Sequence, residues 1–487
     1  MKQGAQGHWL WHDLYTSVPH SGVVVYPFYI LLGHLQWLTH LPPVLIFHTA
    51  RVMIGFALVL LAYGFCSLFF SRRGPRCIAF LLAVFGGGIS PLLVAARLLG
   101  WSVPPGMDVS IGGVGIYSAL NGPPHLAIAG VGLMTILGLA MAGGRSKPIA
   151  LLAVAAVAGL VCALPYPQLP LFAACVLVAL AVWQRRLWPI KVALAAGLAA
   201  APYVGYAAYL RLTHPVVSVW VGREGPFPIG DPLSYLFVAH TLPALAFIVA
   251  IATRAIRLPR KAALPLLWIA LAGVFAYLPT GVVVLTRVLF VISVPFGILG
   301  CWALLGLGRL VARPGVGRRL VTYGVLVASL VTLYEFAVAV SIPFHQLDAL
   351  GSNYVPTDLG TAMAVLEGRP PGLVMNLYSS GQFVPPSSGH STYVGNQDET
   401  LDSVDKQRDA VAFYRMDDPA RSRFMREHKV AYVLLGPAER GVAEAAGSPV
   451  RAGRTFRLLF AAGDVQMYEP GAESIPTLRS GGPASPG

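Results

Sequence analysis

GHWLWHDLYTSVPHSGVVVYPFYILLGHLQWLTHL, residues 7–41, is too polar and too broken to cross a membrane, yet everything after it as far as Pro343 is built of apolar runs. The contrast decides the fold. The stretch carries Trp9, Trp11, Tyr15, Tyr26, Phe28, Tyr29 and Trp37, the aromatic types that collect at a membrane–water interface. His8, His12, His20 and His34 sit among them, together with Asp13. From Val23 onward the apolar residues cover one side of a possible helix, interrupted by Gly33, His34 and Gln36. Residues 1–45 therefore read as an amphipathic segment on the bilayer surface beside a site cut into the spans. A surface anchor without chemistry fits the same residues.

Working outward, the 487-residue chain is 56% hydrophobic and 11% charged, with mean hydropathy +0.66. A soluble protein has about 25% charged residues, so this is a polytopic membrane protein. Ten apolar runs approach the length that spans about 30 Å of hydrocarbon, at 46–70, 77–99, 124–142, 149–164, 168–183, 190–210, 232–253, 263–280, 284–306 and 320–342. The run 77–99 is broken by GGGISP (86–91), and irregular backbone at that depth needs protein or a cavity around it.

The net charge of +14 is not a nucleic-acid face. Its arginines and lysines fall into alternate loops: Arg72, Arg73 and Arg76; Arg145 and Lys147; Arg185, Arg186 and Lys191; Arg254, Arg257, Arg260 and Lys261; Arg309, Arg313, Arg318 and Arg319. The positive-inside rule puts these loops in the cytoplasm and the first forty residues, the other loops and the tail outside. Asp13, Asp108, Glu224 and Asp231 then all fall outside, and Glu335 lies within the last run. The five cysteines lie in or beside apolar runs, so neither a disulfide framework nor a CxxC metal site is on offer.

Two further residues stand out. Asn121-Gly-Pro-Pro-His125 precedes the run 124–142, where Asn121 can cap a helix and the prolines suit its start. His125 reads equally as an interfacial histidine or as part of a polar pocket. Arg287 breaks the charge pattern, one turn into the run 284–306 on the outer side. It either snorkels to headgroups or binds an anion.

After Pro343 the composition turns mixed. VMNLY (374–378), STYVG (391–395), AYVLLG (431–436) and FRLLFAAGDVQMYE (456–469) read as strands, and 401–416 and 419–428 as helices. The expected organisation is an all-α membrane domain over 46–343, a small extracytoplasmic α/β domain over 344–470, and a Gly/Pro/Ser-rich disordered tail over 471–487.

The runs GHWLWHDLYTS (7–17), FYILLGHL (28–35), FHTARVMIG (47–55), NGPPHLAIA (121–129), PYPQLP (165–170) and TRVLFVISVPFGIL (286–299) resemble bacterial membrane proteins related to the GT-C glycosyltransferases, of mannosyltransferase-like and arabinosyltransferase-like type. YVGNQDETLDSVDKQRDAVAFYR (393–415) and VAYVLLGPAER (430–440) resemble the outer domain of that group. The resemblance implies transfer of a hexose or pentose from a polyprenyl-phosphate carrier to a glycan, lipid or protein, at the extracytoplasmic face of a bacterial cytoplasmic membrane. The partners are then membrane lipids, the donor and the acceptor. A carboxylate takes the proton of the acceptor hydroxyl or holds a divalent metal ion, and a basic residue binds the donor phosphate. Arg287 matches the phosphate role. Asp13 lies downstream of the family's acidic position, and His12, Asp108, Asn121, His125 and Glu224 are further pocket candidates. Orientation and resemblance together lead us to expect one more span and an acidic residue upstream of Met1. A transporter or a non-catalytic scaffold is the alternative, although no internal repeat supports transport.

Overall fold

The computed structural model describes residues 1–89, 115–143, 147–223, 239–277, 285–311, 315–319, 321–327, 355–396 and 399–471, with isolated positions between them. Asp108, Glu224, Asp231, Glu335 and the tail beyond residue 471 lie outside the described residues.

The chain opens with a short helix α1 (Lys2–Ala5) and, after an irregular stretch, α2 (Pro27–Thr39). The membrane part follows as α3 (Pro43–Phe69), α4 (Arg73–Phe85), α5 (Ile116–Asn121), α6 (Pro124–Ala142), α7 (Pro148–Ala163), α8 (Gln168–Gln184), α9 (Trp188–Thr213), α10 (Thr241–Ala252), α11 (Ala263–Tyr277) and α12 (Ser293–Leu310). Proline stands in the first turn of α2, α3, α6, α7 and α9, where its missing N–H costs nothing and its fixed φ suits the helix.

Among the described residues, five helices are long and apolar enough to cross a membrane: α3, α6, α9, α12, and α11 with the 3-10 turn Arg260–Ala262. α7, α8 and α10 are apolar but shorter. In the second expected run, α4 ends at Phe85 and GGG follows it, while residues 90–95 and 97–98 lie outside the described residues. The run 284–306 divides into a 3-10 turn, Leu285–Leu289, and α12, with Val291 between them at φ 47°. Arg287 thus precedes the long helix rather than lying one turn inside it.

Lipid chains offer no hydrophobic drive for helices to associate, so close backbone approach takes over. A Cβ on Gly159 of α7 would meet the Ala196 backbone of α9, and one on Gly297 of α12 would meet Ala83 of α4. Trp268, Phe172, Phe290 and Leu58 are enclosed in the interior, whereas Val52, Met53, Phe56 and Leu60 of α3 face outward. The Ser293 hydroxyl donates to the Ala83 carbonyl at 2.7 Å and accepts the Ile116 N–H at 3.2 Å, joining α12, α4 and α5.

The C-terminal part is an α/β layer with sheet order β2-β1-β3-β5-β4. Its strands are β1 (Leu373–Met375), β2 (Ser391–Thr392), β3 (Val430–Leu435), β4 (Phe456–Ala462) and β5 (Val465–Pro470). β1 runs parallel to β2 and β3, and β5 lies antiparallel to β3 and β4. The stretch 456–469, expected as one strand, folds back as a hairpin through Gly463 and Asp464, where Gly463 takes φ +51°. The expected helices appear as α14 (Ser403–Arg415) and α15 (Asp418–Glu427). Four helices are missing from the expectation: α13 (Thr357–Glu367) and α16 (Pro437–Ala445), which flank them in the chain, and the short Tyr378–Gly381, which begins at the end of the expected strand 374–378, and Val384–Ser388.

Candidate functional site

The basic loops and the candidate site lie at opposite helix ends. α6 starts beside His125 and is followed by Lys147, α7 returns to the Tyr166 turn, and α8 ends at Arg185. At the basic end the Lys261 ammonium donates to the Leu68 carbonyl in the last turn of α3 at 2.7 Å, a favourable place for a cation.

At the other end four side chains from four elements converge. The Tyr29 hydroxyl of α2 lies 2.6 Å from Nδ1 of His125, in the first turn of α6. Nε2 of His125 lies 2.9 Å from the hydroxyl of Tyr166, in the Pro165-Tyr166-Pro167 turn between α7 and α8. The Arg287 guanidinium rests over the Tyr166 ring, 5.2 Å from its centroid. Phe290 packs on the same ring at 4.7 Å. The arrangement is a half-buried cation held on an aromatic face, with hydrogen-bonding groups behind it. That combination suits an anion, because a guanidinium on an aromatic keeps its charge while its flat edge stays fixed.

The structure brings Arg287 and His125 together. Asn121 closes α5 instead of capping α6, whose N-cap is Pro123 with no side-chain hydrogen bond. His12 is held elsewhere: its N–H donates to Gln3 Oε1 at 2.9 Å and its carbonyl accepts from Gln3 Nε2 at 2.7 Å. Tyr29 and Tyr166 escaped the sequence reading. Tyr29 was one aromatic among many, and the proline-flanked Tyr166 was only a turn.

Asp13 belongs to a second cluster, against the α/β layer. It is 1% exposed. Its Oδ1 accepts the Tyr15 N–H at 2.8 Å, its own N–H donates to His20 Nε2 at 2.8 Å, and its Oδ2 is buried without a hydrogen-bond partner. Burial pushes the carboxyl up to about 7, with the Tyr15 N–H and the Lys406 charge pulling the other way. Lys406 of α14 is buried too and reaches Thr16 Oγ1 at 3.4 Å. Thr392 N–H donates to the Leu14 carbonyl at 2.8 Å, Thr400 Oγ1 to the Tyr15 carbonyl at 2.9 Å, and the Tyr15 hydroxyl to the Gln382 carbonyl at 3.1 Å. The first sixteen residues therefore dock on the α/β layer. Within the opening segment, α2 is the part that presents a stripe of exposed leucines, Leu31, Leu35 and Leu38.

Metal chemistry finds little footing among the described residues. His12, His20 and His214 lie in a row, with ring centroids 6.0 and 5.7 Å apart. The nitrogens of His20 are taken by the Val18 carbonyl and the Asp13 N–H, and those of His214 by the Ser21 carbonyl and the Val217 N–H. No group of three or more His, Cys, Asp or Glu among the described residues is placed to hold a metal ion. The outer carboxylates Asp108, Glu224 and Asp231 lie outside the described residues.

Comparison with solved structures fixes the fold. The chain superposes on a crystal structure of the Archaeoglobus fulgidus oligosaccharyltransferase tethered with an acceptor peptide containing the NVT sequon. The TM-score is 0.51 at 11% identity, over 89% of this chain and 63% of that one. The shared fold is an all-α domain of long apolar helices followed by an α/β sheet region. The archaeal oligosaccharyltransferase AglB from the same organism, in complex with an inhibitory peptide and a dolichol-phosphate, gives 0.49 at 12% identity, over 89% and 64% of the two chains. Its complex with Zn and sulfate gives 0.48 at 13%, over 98% and 69%. This chain thus spans less than two thirds of the length of the first two structures. No protein-family model matches the sequence, and no curated protein matches it. The likeness is one of fold. The narrower mannosyltransferase-like or arabinosyltransferase-like expectation rests on the sequence resemblance alone.

Proposed function

We propose that this protein is an integral membrane glycosyltransferase. It takes a hexose or pentose from a polyprenyl-phosphate carrier at the extracytoplasmic face of a bacterial cytoplasmic membrane and passes it to a glycan, lipid or protein. The observation that carries this reading is Arg287. It is a fixed cation at the helix ends opposite the basic loops, seated on Tyr166. The GT-C-like fold supports it.

The chemistry needs charge stabilisation on the leaving side. As the acceptor hydroxyl attacks the anomeric carbon, the bond from that carbon to the phosphate oxygen breaks and the lipid phosphate departs with the electron pair. A guanidinium aimed at that phosphate lowers the barrier because it is placed before the charge develops. The hydroxyl proton goes to a carboxylate. Asp13 is proposed for that role, with Asp108 and Glu224 as further pocket candidates. Asp13, the one whose surroundings are described, lies under the α/β layer and would have to be uncovered to reach an acceptor.

The test is transfer in proteoliposomes from a radiolabelled polyprenyl-phosphate sugar. Arg287→Ala should abolish transfer at unchanged thermal midpoint. Arg287→Lys should recover part of it, since a point charge replaces a bidentate fork. Wild-type transfer by the alanine variant would overturn the assignment.

A further inference from the structure

We infer that Tyr29, His125 and Tyr166 form a hydrogen-bonded brace that positions Arg287 for the phosphate of a lipid-linked donor. The inference rests on the phosphate reading above and adds the residues that make the arginine effective.

A neutral imidazole has one donating and one accepting nitrogen. In His125 each faces a tyrosine hydroxyl, Tyr29 at 2.6 Å and Tyr166 at 2.9 Å. The ring is therefore tied at both ends and cannot turn without breaking a bond. Tyr166 is fixed in turn at its hydroxyl by His125 and on its ring by Phe290, and Arg287 lies over that ring. Tyr29 is fixed by stacking on Phe47 of α3, with ring centroids 6.4 Å apart and planes 14° from parallel. The chain of support runs from α3 through α2 and α6 to the turn that carries Tyr166. Arginine has many rotamers, and each one frozen on binding weakens affinity. A guanidinium already seated on a braced ring avoids that loss. Tyr29 and His125 are thus positioning residues, acting on the phosphate through Tyr166 and Arg287.

The brace also ties the site to the bilayer. The leucine stripe of α2 faces outward, and its Tyr29 reaches inward to His125. One helix carries both the exposed leucine stripe and the first residue of the brace, which reaches Arg287 through His125 and Tyr166.

The experiment measures binding of farnesyl phosphate to the full-length protein in nanodiscs, alongside the thermal midpoint of each variant. His125→Phe keeps the ring volume and removes both hydrogen bonds, and it should weaken binding about tenfold. His125→Gln, which keeps a donor and an acceptor on a shorter reach, should fall between it and wild type. Tyr29→Phe should weaken binding several-fold although it removes an oxygen that bonds His125 and not Arg287. If Arg287→Ala binds farnesyl phosphate like wild type, the phosphate reading fails and the brace loses its purpose. If Arg287→Ala loses binding while His125→Phe and Tyr29→Phe keep full affinity, the phosphate reading stands and the brace is refuted. A lowered thermal midpoint with unchanged affinity of the folded protein would likewise reduce the three residues to structural hydrogen bonding and overturn the inference.

Discussion

The backbone N–H of Thr392, on the edge strand β2, donates to the carbonyl of Leu14 at 2.8 Å, so the opening segment closes the exposed edge of the C-terminal sheet. Edge strands invite unwanted pairing, and covering one with the chain's own backbone removes the hazard. Around that bond lie the Thr400–Tyr15 and Tyr15–Gln382 hydrogen bonds and the Lys2–Glu367 ion pair at 2.5 Å. The seam ties the α/β layer to the segment that also supplies Tyr29.

The seam should loosen as pH rises. Docking buries Asp13 and lifts its carboxyl from 3.8 to about 7, while in the undocked segment it ionises near the lower value. Between these values the docked state holds one more proton, so its stability falls with rising pH across that window and levels off above it. The protection factor of the Thr392 amide, corrected for the roughly tenfold intrinsic rise of exchange per pH unit, should therefore be higher at pH 5 than at pH 8. Asp13→Asn should flatten the dependence, which separates Asp13 from the neighbouring His20 and Lys406. A steep dependence surviving in that variant would exclude Asp13 as its source.

The orientation is tested by labelling. In a cysteine-free background, Lys147→Cys and Arg254→Cys should be shielded from an impermeant thiol reagent in intact cells. Val404→Cys, on the 58%-exposed position of α14, should react. Reaction at residue 147 without permeabilisation would reverse the positive-inside reading.

Arg421 should be the most sensitive single position of the α/β layer. It is fully buried, and its guanidinium donates to the Phe413, Tyr414 and Ser448 carbonyls at 3.1, 2.7 and 2.5 Å and to Asp418 at 3.2 Å. Arg421→Ala strands three carbonyls that have no water to turn to, and should cost roughly 3–5 kcal/mol. Arg423→Ala, two residues on in the same helix, should cost under about 1 kcal/mol. Thermal unfolding followed by tryptic digestion reads both, and equal effects would refute the distinction.

That pair shows where the sequence stops being legible. RSRF contains two arginines two residues apart, and no local pattern marks the first as buried and the second as exposed. Five membrane spans among the described residues were legible because hydrocarbon demands long apolar runs, and β3 because a covered strand reads as a short apolar run. Arg287 and His125 were legible as polar groups in apolar company. Their meeting was not, because it runs through Tyr166, 41 residues from His125, and through Tyr29, 96 residues away. The hairpin at Gly463 was missed because an apolar run on both sides of a two-residue turn looks like one strand.

Tyr166 offers the sharpest separation of the two forces at the site, because its ring and its hydroxyl do different work. The ring carries the Arg287 guanidinium at 5.2 Å, and the hydroxyl bonds His125 at 2.9 Å. Tyr166→Phe keeps the ring and loses the bond, so Arg287 should stay seated but less firmly, and farnesyl phosphate affinity should fall several-fold. Tyr166→Leu loses both. A cation over an aromatic face is worth about 0.5–2 kcal/mol depending on desolvation, so the leucine variant should bind more weakly than the phenylalanine variant by roughly two- to thirtyfold. The double variant Tyr166→Phe, His125→Phe should then be no worse than the worse of its two single variants, since both remove the same hydrogen bond. Strictly additive losses would mean that the two residues act on Arg287 independently, and Tyr166 would no longer be the link between His125 and the arginine.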